Sequence, residues 1–201
     1  MKKLLLTSTG LKNKNIKNQF LKLIEKSISE IKIIFVPAAA RTEEEFMYIR
    51  ESKNELLALG IPEKNIKTLS LDKPVSGNDI KDFDVIYVCG GNTFYLLQKI
   101  RASGFDKILK DFNGIYIGVS AGSIIVGPNI EVASPGDEND VELSDLTGLN
   151  IVDFAVSPHF RKEEQKIIDD LKKQVKYQII EITDDQAVLV VGGEKSINKY
   201  N

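Results

Sequence analysis

The chain of 201 residues has no tryptophan, one cysteine and one histidine. The lone Cys89 can form neither an internal disulfide nor a cysteine-based metal site. That excludes a disulfide-stapled secreted scaffold and points to a reducing, cytoplasmic compartment. Charge of one sign is also missing, since 27 Lys and Arg stand against 29 Asp and Glu, a net of −2 mixed along the whole length. No basic face for nucleic acid or for an anionic membrane is expected, and the expected partner is small and soluble. Nowhere do about 18 apolar residues run together, so no membrane-spanning helix is expected. The opening Met1-Lys2-Lys3-Leu4-Leu5-Leu6 starts like a signal peptide, but its apolar run stops at Thr7-Ser8-Thr9-Gly10. That is short of the roughly 7 to 15 apolar residues such a segment needs, and the run reads as a first buried strand.

What is present is a chain 42% hydrophobic and 28% charged, of a length that suits one compact domain over 1–201, with no internal repeat and no dividing linker. Apolar runs of strand length recur at Leu4 to Thr7, Ile33 to Val36, Asp84 to Cys89 and Ile115 to Val119, with helical stretches between them. That alternation predicts an α/β fold with a parallel sheet. Asn15 to Ser29 carries Ile16, Phe20, Leu23, Ile24 and Ile28 at the spacing of one helix face. A second helix, Thr42 to Leu59, opens on a capping-box pattern, Thr42 with Glu45, and closes at Gly60 with Pro62 beyond. Further helical pattern covers Thr93 to Ala102, Phe105 to Phe112 and Lys162 to Val175, the last with Ile167, Ile168, Leu171 and Val175 as its buried stripe. Gly127 to Asn150, with the acidic run Gly136-Asp137-Glu138-Asn139-Asp140, reads as a long surface loop. Tyr177 to Ile182 and Ala187 to Val191 read as a terminal hairpin or as two strands around a tight corner at Thr183-Asp184-Asp185-Gln186.

The strongest local signal is Gly118-Val119-Ser120-Ala121-Gly122, after a strand and before a short apolar stretch that can begin a helix. A nucleophile elbow needs small residues on both sides of its serine, so that the backbone folds tightly and presents the hydroxyl beside the N–H groups of a helix start. A glycine-punctuated turn whose serine only caps a helix is the alternative. A serine hydroxyl also needs a base, and histidine is the usual one. The chain's one histidine, His159, follows the apolar strand of Phe154-Ala155-Val156-Ser157, at the rim where open α/β sheets place their sites. Such a base needs a carboxylate on its far nitrogen. Asp184 at the terminal corner is the first candidate, with Asp185, Asp137 and Glu131 also open. A second glycine signal, Cys89-Gly90-Gly91-Asn92-Thr93-Phe94, ends a strand and starts a helix. It offers a backbone N–H to an oxyanion alongside that of Ala121, and glycines there let a substrate approach closely. Neither a phosphate loop nor the dinucleotide pattern G-x-G-x-x-G is present, and one histidine without cysteine clusters implies neither a metal nor another cofactor.

Taken in order, Cys89 to Leu97, Gly118 to Gly122 and Pro158-His159-Phe160 resemble the peptidase E, or aspartyl dipeptidase, family. The likeness runs from the strand before Pro37-Ala38-Ala39 to the Asp184-Asp185-Gln186-Ala187 turn. The resemblance implies a flavodoxin-like three-layer sandwich, related to class I glutamine amidotransferase domains, with a mostly parallel sheet, helices on both faces and a C-terminal strand pair. It implies a cofactor-free serine peptidase that cuts small peptides, above all dipeptides beginning with aspartate, through a serine, a histidine and a glutamate. Ser120 and His159 match two of these. Asp184, a shorter carboxylate, stands at the glutamate's place. An aspartate that the family carries after the elbow is replaced by Ser134-Pro135, with Asp137 close by. Gly91 and Ala121 would supply the oxyanion donors. Gly90, Asn92 and Arg161 would contact substrate, Arg161 by reading its acidic side chain. Two other readings stay open, a binding or regulatory domain of the same fold with weak chemistry, and another serine hydrolase such as an esterase. A homodimer is also left open, with no edge strand or helix face singled out for it.

Overall fold

The computed structural model describes residues 3–199. Its main sheet has seven strands in the order β3-β2-β4-β5-β1-β8-β9. The strands are β1 (Lys3–Thr7), β2 (Ile33–Val36), β3 (Ile66–Thr68), β4 (Val85–Val88), β5 (Ile115–Val119), β8 (Gln186–Val191) and β9 (Glu194–Lys199). The run from β3 to β1 is parallel throughout, and β8 and β9 continue the sheet antiparallel beyond β1. A separate parallel pair joins β6 (Phe154–Ser157) to β7 (Gln178–Glu181).

The parallel strands β1, β2, β4 and β5 are buried on both faces because helices cover both, which is why they read as apolar runs, whereas the edge strand β3 exposes Lys67 and Thr68. Side chains alternate between the faces along each strand. Leu5, Ile33, Phe35, Tyr87 and Ile117 pack with Ile16 and Phe20 of α1 (Lys14–Leu23) and Leu56 of α2 (Glu43–Ala58). Leu4, Leu6, Ile34, Ile86 and Val88 face the opposite core. That core is built by α3 (Thr93–Ser103), α4 (Phe105–Asp111), the short α5 (Ala121–Ile124), α6 (Gln165–Gln174) and the β6–β7 pair. The capping box expected at the start of α2 is formed: Glu45 N–H donates to Thr42 Oγ1, and Glu45 Oε2 accepts the Thr42 N–H.

Three details depart from the sequence reading, and a fourth decides between its two alternatives for the last strands, in favour of two strands around a tight corner. Helix α1 stops at Leu23, where Ile24 turns extended and the Lys3 ammonium takes the Leu23 carbonyl at 3.1 Å; Ile28 lies in a separate 3-10 turn, Ile28–Glu30. Ile167 is 53% exposed while Ile168 is buried, because adjacent residues on a helix point about a quarter turn apart and only one can join the stripe of Leu171 and Val175. The segment 127–150 is partly embedded rather than superficial, with Ile130, Val132, Ala133 and Leu149 buried. Finally, β7 and β8 do not pair with each other. The chain leaves the small sheet after β7, turns the corner at Thr183 to Asp185 and enters the main sheet as β8, and the terminal hairpin is β8–β9. No described helix is long and apolar enough to cross a membrane.

Candidate active site

Parallel strands deliver their following loops to one rim. Here the carboxyl ends of β1, β4 and β5 bring together Ser8 and Thr9, Gly90 and Gly91, and Ser120, and the end of β6 adds His159. Ser120 sits at φ 49° and ψ −111°, a backbone state that side chains avoid and that persists only where the surroundings hold it. The surroundings do so through close packing. A Cβ on Gly118 would stand 2.6 Å from the Gly122 carbonyl oxygen, and one on Gly122 would stand 2.4 Å from the Val88 carbonyl oxygen, so both flanking positions need glycine. The Ser120 N–H donates to the Thr7 carbonyl at 2.9 Å. Buried Ser123 accepts the Thr7 N–H at 2.9 Å and lies 2.8 Å from the Gly118 carbonyl, which ties the turn to β1.

His159 Nε2 lies 3.1 Å from Ser120 Oγ, and His159 Nδ1 lies 2.7 Å from Asp184 Oδ1. With Nδ1–H donated to the carboxylate, Nε2 is the free acceptor that faces the serine hydroxyl. His159 also has a positive φ, 56°. Its N–H donates to Ser8 Oγ at 3.1 Å, and Ser8 Oγ in turn donates to the Thr183 carbonyl at 3.1 Å. Thr9 Oγ1 donates to the Asp184 carbonyl at 3.0 Å. The loop after β1 therefore fixes both the histidine and the corner that carries the aspartate, and the shorter side chain of Asp184 reaches the ring. Sequence reasoning missed this pair of hydroxyls. The available signal was Ser8-Thr9-Gly10 directly after a buried strand of a parallel sheet.

The N–H groups of Gly91 and Ala121 donate to no acceptor among the described residues, as a pair of oxyanion donors requires. Gly91 holds φ +126° against the Ala39 carbonyl, and Gly90 packs on Ser120, where an added Cβ would lie 3.1 Å from the Ser120 Cβ. Asn92 is placed differently from its neighbours. It is buried at the start of α3, accepts the Tyr95 N–H at 2.9 Å and donates to the Glu138 carbonyl at 2.8 Å, so its side chain is fully engaged within the protein.

Two cavities meet at the serine and histidine. The larger, about 520 Å³, is lined among others by Lys12, Glu45, Tyr48, Gly90, Gly91 and Arg161. The smaller, about 110 Å³, runs between α5, α6 and the segment 132–137. Ser120, His159 and Asp137 border both. Asp137 is half-buried and accepts the Thr93 N–H at 2.8 Å at the start of α3. Burial pushes its carboxyl above the usual carboxylate range, hydrogen bonding from Thr93 works against this, and the nearby Glu45 charge adds to it. Of the two cations in the larger cavity, Lys12 is held by Glu51 at 2.6 Å, whereas the Arg161 guanidinium meets no carboxylate among the described residues. The remaining carboxylates named from sequence lie elsewhere: Asp185 accepts a hydrogen bond from Asn13, and Glu131 lies exposed in a 3-10 turn. Among the described residues no group of three or more His, Cys, Asp or Glu could hold a metal ion.

A serine, a histidine and a carboxylate in this order, on a strained elbow beside two free N–H groups, form the constellation of an acyl-transfer hydrolase. The chain is 35% identical over 178 residues to an uncharacterized peptidase of Listeria innocua, with 83% of each chain covered. It is 30% identical over 167 residues to peptidase E of Escherichia coli, covering 80% of this chain and 69% of the relative. The solved structure of a protein assigned to peptidase E from Listeria monocytogenes superposes with a TM-score of 0.82 at 30% sequence identity, over all of both chains. The model of peptidase family S51 matches residues 4–198, and the chain belongs to that family.

Proposed function

We propose that the chain is a serine peptidase that hydrolyses small peptides, foremost dipeptides with an N-terminal aspartate, through an acyl-enzyme. The observation that carries this reading is the continuous relay from Ser120 Oγ to His159 Nε2 at 3.1 Å and from His159 Nδ1 to Asp184 Oδ1 at 2.7 Å. Ser120 Oγ attacks the peptide carbonyl while His159 Nε2 takes its proton, and the oxyanion forms between the Gly91 and Ala121 N–H groups. His159 then gives the proton to the leaving amine as the C–N bond breaks. Water, deprotonated by the same nitrogen, attacks the ester and restores Ser120. Asp184 keeps the proton on Nδ1 and stabilises the imidazolium.

The first residue of the substrate is read by two charges that line the larger cavity. Arg161, unpaired and planar, takes the aspartate carboxylate, for which a bidentate guanidinium is suited. Asp137 stands next to the nucleophile and takes the free α-ammonium, which limits cleavage to the first peptide bond. Hydrolysis of dipeptides with aspartate, β-aspartate, glutamate or a neutral first residue, by the wild type and by Ser120→Ala, tests the proposal. Cleavage of the aspartyl members should fall at least about a thousandfold in the variant, since removing a triad member leaves only the residual catalysis of binding and the oxyanion hole. No cleavage of any member by folded wild type would overturn it.

A further inference from the structure

The loops that build the larger cavity follow the order of the sheet, and that order sets which part of a substrate lies where. Gly90 and Gly91 follow β4, Ser120 follows β5, and the loop from Ser8 to Lys12 follows β1, so the elbow stands between the other two. His159 lies on the β1 side, since its N–H donates to Ser8 Oγ and its ring meets Asp184 at the entry to β8. The three substituents of the attacked carbonyl carbon are thereby sorted. Its oxygen turns toward the Gly91 and Ala121 N–H groups. The α-carbon of the first residue takes the side of Asp137, which is tied to the start of α3. The nitrogen must lie within reach of His159 Nε2, which returns the proton to the leaving amine, so the second residue leads out over the loop after β1. In a dipeptide that residue ends in a free α-carboxylate. The smaller cavity does not suit this group, because its charged members besides His159 are two acids, Asp137 and Glu164. Among the described residues that line the two cavities the fixed cations are Lys12 and Arg161, and both line the larger. Arg161 is engaged by the aspartate side chain in the reading above, and Lys12 stands on the loop over which the second residue leaves.

We infer that Lys12 takes the α-carboxylate of the second residue and thereby makes the chain favour dipeptides over longer or amidated peptides. Its ammonium is placed but not saturated. One donor goes to Glu51 Oε2 at 2.6 Å, and the ammonium stands 5.7 Å from the centre of the Tyr48 ring, which leaves donors free of the three that a lysine carries. The hydrogen bond to Glu51 also holds Lys12 above the ordinary lysine range, so the charge is present throughout neutral pH. With 49% and 45% of the two side chains exposed, the ion pair is of the weak surface kind, and an incoming carboxylate can share the ammonium. A longer peptide or an amidated dipeptide brings a neutral amide to the same place, and a neutral acceptor makes the weaker hydrogen bond. This role of Lys12 rests on the peptidase reading above and adds a reader for the leaving end of the substrate.

The test is the ratio of kcat/KM for aspartyl-alanine to that for aspartyl-alanine amide, measured for the wild type, Lys12→Met and Lys12→Arg. A ratio within one preparation cancels any difference in folded fraction. The two leaving amines differ in basicity, but equally for every protein, so the change of the ratio between proteins reports on Lys12. Lys12→Met should lower the ratio at least about tenfold, the order of one charge-assisted contact, and Lys12→Arg should keep it within about threefold of the wild type. Glutamyl-alanine, run beside aspartyl-alanine, reads the first residue, and that preference should stay within about threefold in both variants. A dipeptide-to-amide ratio within twofold of wild type in Lys12→Met would overturn the inference while leaving the peptidase reading intact. So would a loss confined to the preference for aspartate over glutamate, which would place Lys12 at the first residue. Failure of the folded wild type to cleave either aspartyl substrate would overturn both.

Discussion

The proposed nucleophile and its proposed base are held in place by different means. Ser120 stands on the main sheet, in a turn where glycine packs against backbone at both flanks, and its neighbours Val119, Ala121 and Gly122 are buried. His159 and Asp184 stand on the rim, with 45% and 61% of their side chains exposed, and side-chain hydroxyls of the loop after β1 position their backbones. The first arrangement is steric and has no slack, because backbone atoms cannot rotate away from an added methyl. The second depends on a few hydrogen bonds, each worth about 1 kcal/mol net, in reach of water that can replace them in part. Damage to the elbow should therefore cost fold and activity together, and damage to the rim should cost activity alone.

Gly122→Ala is the severest way to break that contrast. Its Cβ would stand 2.4 Å from the Val88 carbonyl oxygen, so β4 and the elbow must move apart. Overpacking of this kind costs about 1–3 kcal/mol or more, and a shift of even 1 Å in the nucleophile costs about a hundredfold in rate. A lowered denaturation midpoint together with activity reduced at least about a hundredfold is expected. A variant as stable and as active as the wild type would show that the elbow has slack after all.

Asp184→Asn addresses the rim. The amide carries no charge to stabilise the imidazolium, and its NH2 group can donate to Nδ1 and hold the histidine in the wrong tautomer. In a buried triad the same change costs about ten-thousandfold in kcat. With the pair this exposed, water supplies part of the lost interaction, and a drop of about a hundredfold in kcat is expected, with the unfolding free energy within about 0.5 kcal/mol of wild type, as for most surface changes. Steady-state kinetics on an aspartyl dipeptide and an unfolding curve on the same sample make the comparison. A large loss of stability would mean that the corner is held by the carboxylate and not by Ser8 and Thr9.

The same division decides what could be read without coordinates. The elbow was legible because its requirement is local, small residues around a serine between a strand and a helix, and His159 because the chain has no other histidine. The capping box of α2 was legible for the same reason. Asp184 was one carboxylate among several, and only the path from β7 to β8 brings it to the ring. That path is non-local. Tyr177 to Ile182 and Ala187 to Val191 have the same strand-like pattern, yet one joins the small sheet and the other pairs with β1, nearly the whole chain away. The two cavities and the lack of a carboxylate partner for Arg161 among the described residues are equally beyond spacing rules, since they depend on which segments pack together.

The smallest expected effect separates two carboxylates of one site. Asp184 lies exposed on a corner, whereas Asp137 is half-buried against α3, and its carboxyl sits above the ordinary range mainly because burial penalises the charge. A carboxyl raised in the folded state binds its proton more tightly there than in the unfolded chain, whose value is about 3.9. Its contribution to stability is therefore full below that value and is lost as pH rises through the raised folded value. Asp137→Asn keeps an oxygen for the Thr93 N–H and removes the charge, so the variant should gain on the wild type between pH 4 and pH 7. The gain should stay below the about 1 kcal/mol of a single hydrogen bond, because the favourable contact with Thr93 offsets part of the burial cost. Urea midpoints of both proteins at the two pH values measure it. A difference that is equal at both, or that moves toward the wild type as pH rises, would mean that burial does not raise the Asp137 carboxyl in the folded chain.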